Sequence, residues 1–117
     1  MSANNLTIAK AYYLAINNKN LSEVEKYLDP NIHFINPFAN IIGKEAVLNA
    51  ASEFMTIFKT LTVQTEFCSE DKVMLVYDLD CPLPIGLVRA AALMHFKDDL
   101  IAQIELFFDT RPFERKI

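Results

Sequence analysis

Two carboxylates, Asp78 and Asp80, lie two residues apart in an apolar stretch that reads as a strand, and so share one of its faces. A carboxylate buried on such a face, its pKa raised by desolvation, is the kind of group that serves as general acid or base. Which face Asp78 takes depends on the hairpin that follows. A turn symmetric about Pro84 sets it on the face of Ala90 and Ala92, whereas a register shifted by one sets Arg89 beside it as a solvated ion-pair partner. Tyr12, next to Tyr13 in a helical pattern, offers a hydroxyl that is either core packing or a working donor. His33 and His95 belong to different strands with no third ligand at a metal-binding spacing, so no metal is expected. Cys68 and Cys81 match no zinc motif, and Cys81 has no His or basic neighbour in sequence to activate its thiol. With Gly43 and Gly86 as the only glycines there is no phosphate-cradling loop, and no cofactor is expected.

The elements that must position these residues follow from periodicity. Ile8, Tyr12, Ala15 and Ile16, flanked by Ala9 and Tyr13, predict a helix from Leu6 to about Asn18. Ser22 and Glu25 have capping-box spacing, opening a short helix that Asp29-Pro30 should end. Ile32 to Asn36 reads as a strand stopped by Pro37, and a loop is expected to Gly43. Lys44 to Phe58 is expected to be the longest helix. Four strands follow, at about Leu61–Cys68, Lys72–Cys81, Leu87–Phe96 and Ile101–Phe108, joined by turns at Ser69-Glu70-Asp71, Cys81 to Gly86 and Lys97-Asp98-Asp99. Helices first and antiparallel strands last predict an α+β domain with its helices on one face of the sheet.

A chain of 117 residues has room for one domain, 1–117. Its hydrophobic content of 52% is high for a small soluble monomer, and calls for a lined cavity, a face buried against a second subunit, or both. The later strands are apolar on both faces, which points to a homodimer through the sheet. Net charge is −4 with no basic stripe, so nucleic acid is not an expected partner; Arg111, Arg115 and Lys116 read as a solvated end. No apolar run is long enough to span a membrane and no signal-peptide pattern opens the chain, so a cytoplasmic protein is expected.

The order and spacing of several pieces resemble the nuclear transport factor 2-like superfamily, in its SnoaL-like and ketosteroid-isomerase-like branch. These pieces are the Tyr12-to-Asn20 helix end, Tyr27 to Phe34 with its Leu28-Asp29-Pro30 core, Asn36-Pro37 ahead of Gly43-Lys44-Glu45-Ala46, and Ile101 through Ile104 to Asp109. The resemblance implies a cone: a curved antiparallel sheet wrapped around N-terminal helices, enclosing an apolar cavity. It also implies where chemistry would sit. The isomerases' general base falls on Asn36, which takes no proton at neutral pH, and their oxyanion-hole aspartic acid falls near Ala92, which donates nothing. Tyr12 matches the remaining oxyanion donor. The carboxylate position of the epoxide hydrolases in the superfamily falls on Leu106. Ketosteroid isomerase activity is therefore not expected.

With Asn36 and Ala92 facing inward, alternation adds Ile32, Phe34, Ala90 and Met94 to the cavity wall, and Ile104, Leu106 and Phe108 from the last strand. Phe54 and Phe58 of the long helix and Tyr12 complete it. Three functions are open at this point: binding an apolar, oxygen-bearing small molecule; an isomerase, cyclase or dehydratase using Asp78 with Tyr12; and a protein-interaction module working through the sheet face.

Overall fold

The computed structural model describes residues 2–114. Helix α1, Ser2–Asn17, buries Ala9, Tyr12, Tyr13, Ala15 and Ile16 along one side. It stops at Lys19, whose φ of 59° is left-handed, with Asn20 N donating to Ala15 O in a Schellman-type turn. A lysine tolerates this conformation because its side chain is anchored: Nζ donates to Phe58 O at 2.7 Å and stands 3.9 Å from the Phe58 ring centroid. Asn17 Oδ1 accepts from Leu61 N, tying the helix end to the sheet.

Helix α2, Leu21–Glu25, is capped by Asn20, whose side chain accepts from Glu23 N. The capping box expected from Ser22 and Glu25 does not form. The turn ending α1 leaves Asn20 already non-helical, so α2 begins before Ser22, whose hydroxyl donates to Asn20 Oδ1. Strand β1 then runs Leu28–Asn36, with Asp29-Pro30 inside it rather than ending a helix. Proline is tolerated because the β1 pairing is irregular between Leu28 and His33.

The segment expected as a loop contains a strand, β2, Ala39–Ile42, folded back on β1. Gly43, at φ 102°, makes the turn into α3, Lys44–Phe54. This helix is shorter than expected, and α1 is the longer. Strands β3 (Thr60–Ser69), β4 (Lys72–Asp80), β5 (Leu87–Lys97) and β6 (Leu100–Phe108) follow, then a short α4, Arg111–Glu114. Turns at Glu70 and at Asp98-Asp99 have positive φ, as tight hairpins require. Arg115 and Lys116 lie outside the described residues; Arg111 is exposed and paired with Asp109.

One six-stranded sheet has the order β2-β1-β6-β5-β4-β3. It is mixed rather than wholly antiparallel, because β1 and β6 run parallel. Irregularities in β1, β3 and β6 bend it, and the curved, open sheet holds α1 and α3 against its inner face. Burial alternates strictly where the sequence looked apolar on both sides. Val73, Leu75, Tyr77 and Leu79 of β4 and Val88, Ala90, Ala92 and Met94 of β5 point inward.

Candidate functional site

Where α1 and α3 part from the sheet they leave a cavity of about 200 Å³. Tyr12, Tyr13 and Ile16 of α1 form one wall, and Val47, Ala50, Ala51 and Phe54 of α3, with Ile57, form another. The sheet contributes Phe34 and Asn36, Tyr77 and Leu79, Val88 and Ala90, and Leu106 and Phe108. At the rim three phenylalanines from separate segments meet: Phe108 lies 5.4 Å from Phe113 of α4 and 5.9 Å from Phe38 of the β1–β2 turn, ring centroid to centroid.

Of the residues assigned to the wall from sequence, Tyr12, Phe34, Asn36, Phe54, Ala90, Leu106 and Phe108 are placed there. Ile32, Phe58, Ala92, Met94 and Ile104 are not. They lie in the solid core, where the helices pack directly on the sheet. Alternation assigns a strand residue to a face but not to a depth along the strand, so the inward face was right for the strand residues and the position too deep. Phe58, beyond the end of α3, stacks on Phe54 at 4.9 Å and supports it from behind.

Asp78 points away from the cavity. Cys81 N donates to Gly86 O, closing a four-residue loop that fixes Asp78 opposite Arg89. Arg89 Nε and Nη2 grip the carboxylate at 2.7 and 3.1 Å, and Gln64 donates to it as well. The Arg89 hydrogen bonds lower the Asp78 pKa, the opposite of what a general acid needs. Asp78 and Tyr12 are thus on opposite sides of the sheet and form no common site.

His33, bonded to Asn40 Oδ1, is on the outer face of the sheet, and neither it nor His95 lines the cavity. Cys81 is buried, and burial pushes its thiol up, away from reactivity. Among the described residues no three His, Cys, Asp or Glu side chains are grouped to hold a metal. No helix of the described residues is long and apolar enough to cross a membrane.

Among the described residues, the polar side chains that line the cavity are three tyrosines and one asparagine. Tyr12 and Tyr13 meet edge to face at 4.8 Å, and Tyr13 lies 4.9 Å from Tyr77. The Tyr13 and Tyr77 side chains interact through their hydroxyls. Burial raises all three pKa values well above the ordinary phenol range, so at neutral pH all three are protonated. Tyr77 and Tyr13 were not singled out from sequence. The inward register of Tyr77 follows only once Asp78 is known to face out.

Asn36 ends β1, and its Oδ1 accepts from both Phe38 N at 2.8 Å and Ala39 N at 2.9 Å. This settles the amide's orientation, since only the oxygen can accept. The hydrogen-bonding capacity Asn36 has left is therefore that of the Nδ2 donor.

The profile of the SnoaL-like domain matches residues 9–104 of this chain. The chain belongs to the SnoaL-like domain family. Solved structures place this SnoaL-like domain among nuclear transport factor 2-like folds. A protein from Kribbella flavida superposes with a TM-score of 0.88 at 25% identity, covering 94% of this chain and 90% of its own. A nuclear transport factor 2-like protein of unknown function from Cytophaga hutchinsonii gives 0.82 at 24% identity, covering 93% of each. A candidate ketosteroid isomerase from Kribbella flavida gives 0.84 at 13% identity, with 99% and 91% covered. No curated protein matches the chain. The SnoaL-like fold is thus shown, and the chemistry must be argued from the cavity.

Proposed function

We propose that this SnoaL-like domain binds a small, largely apolar molecule carrying one or two oxygen atoms, and moves no proton in its cavity. One observation supports this most directly. Among the described residues the wall holds no carboxylate, imidazole, thiol or amine, only phenols and a carboxamide. A phenol held protonated at neutral pH donates a hydrogen bond but removes no proton. The position at which the isomerase pattern would put its base is Asn36, which is in the wall, while Ala92 is packed away from it. A cavity of this lining orients a ligand by few polar contacts and retains it by apolar burial.

The test is an NMR titration with small aromatic fragments, comparing the native chain with Ala90→Phe, which fills the cavity. Fragments are expected to shift resonances of the wall in the native chain and to leave the filled variant unmoved. Equal shifts in both, or shifts confined to the outer face, would refute a cavity ligand.

A second part of the proposal concerns the outer face of the sheet, which pairs with a second copy of the chain. Its support is that Phe67, Phe107 and Ile42 are exposed there around partly buried Met74, Val76 and Leu93. Sedimentation at micromolar concentration is expected to give a dimer, and Leu93→Arg a monomer. A native monomer would refute it.

A further inference from the structure

We infer that the ligand is an uncharged molecule of about one ring, whose acceptor oxygen is received by Asn36 Nδ2, making Asn36 the residue that sets specificity. The inference rests on the binding proposal above and narrows it.

Size comes first. A dry apolar cavity of about 150 Å³ takes up benzene, whereas drug-sized ligands occupy about 300–1,000 Å³. At about 200 Å³ this cavity accommodates a single ring with a short substituent, not a fused tetracycle. Charge comes second. Among the described residues the wall holds no cation or anion, and burying an unpaired charge costs far more than a hydrogen bond returns.

Polarity completes the description. Tyr12 and Tyr77 remain protonated, and Asn36 has committed its oxygen to Phe38 N and Ala39 N, so it can only donate to a ligand. Tyr12 and Tyr77 are almost wholly buried, whereas Asn36 is half-buried and adjoins the exposed Phe38. The tyrosines therefore belong to the interior and Asn36 to the rim, where it meets the oxygen of a substituent pointing outward. In the isomerase pattern this position would hold a base; here the same position gives a proton-bearing donor that the turn itself holds in place.

The experiment titrates the full chain, by NMR, with acetophenone, ethylbenzene, benzoate and a tetracyclic steroid ketone. Acetophenone is expected to bind about fivefold more tightly than ethylbenzene, which lacks the carbonyl oxygen, the effect of one net hydrogen bond. Benzoate and the steroid are expected to bind at least tenfold more weakly than acetophenone. Asn36→Asp keeps an oxygen for the two backbone donors but removes Nδ2; it is expected to abolish the preference for acetophenone while leaving ethylbenzene within about twofold. Retained ethylbenzene binding shows that the variant is folded, and the ranking in the native chain decides the matter even if it is not. Ethylbenzene equal to acetophenone, benzoate or the steroid tighter than either, or an unchanged preference in Asn36→Asp would overturn the inference with the binding proposal intact. Failure of all four probes to bind would overturn both.

Discussion

Raising the pH should unfold this domain through its tyrosines. Tyr12, Tyr13 and Tyr77 are buried together, and burial lifts each above the ordinary phenol range. In the unfolded chain each ionises near pH 10. A group whose folded pKa is raised leaves stability intact below the unfolded value and withdraws it as pH climbs toward the folded one. One unit above pH 10, each tyrosine favours the unfolded chain by about 1.4 kcal/mol, and the three together by about 4 kcal/mol. A small domain has about 5–15 kcal/mol to lose, so unfolding should occur between about pH 11 and 12. The assay follows the phenolate absorbance band and far-ultraviolet dichroism in the same titration. The chain has 4 tyrosines, and Tyr27, whose hydroxyl bonds to Glu23 near the surface, should ionise on its own. The other three should ionise only as the dichroism collapses. Two or more phenols ionising within an intact fold would refute the buried tyrosine cluster from which the cavity's donors were derived.

Lys19→Ala should lower the melting temperature by about 4–8 °C, equivalent to about 1 kcal/mol, since the left-handed backbone remains while its anchor on Phe58 is gone. Lys19→Gly should cost clearly less by thermal denaturation, because glycine removes the steric cost of that φ. Phe113→Ala should open the rim, speeding fragment release several-fold in line-shape analysis with little change in melting temperature. Asp78→Asn should leave fragment binding unaltered and shift melting by no more than a few degrees, as expected for a pair on the far face whose Arg89 partner is exposed.

Much of the fold is legible because its signals are local. The spacing of Tyr12, Ala15 and Ile16 marks α1, and the Ser69-Glu70-Asp71 and Lys97-Asp98-Asp99 turns bound four strands, β3 to β6, nearly to the residue. What is not legible depends on partners distant in sequence. Asp29-Pro30 reads as a helix stop by the local rule, yet it sits in β1 because β6, some seventy residues on, supplies a pairing with a gap at the proline. The four residues of β2 are too few for a periodic signal, although Asn36-Pro37 before Ile41-Ile42 hints at a hairpin. The facing of Asp78 turned on whether the loop after β4 holds four residues or five, which the Cys81–Gly86 bond decides. In the cavity, Asn36 and Tyr12 could be picked out by type and place, but the donor-only state of Asn36 could not, because it is set by two backbone amides of a turn whose shape the sequence leaves open.

The strand order has a consequence for how the protein is made. Among the described residues the β1–β2 hairpin joins the rest of the sheet through β6, the last of the six strands in sequence. During synthesis β3, β4 and β5 can pair with one another as they emerge, but Phe34 and Ile35 have no β6 to lie against until that strand has emerged in its turn. Until then that hairpin is a tethered passenger with apolar surface open to chaperones, whereas α1 already has β3 and β4 to pack against. Disruption anywhere in β6 would therefore release the β1–β2 hairpin from the sheet, not merely fray one strand.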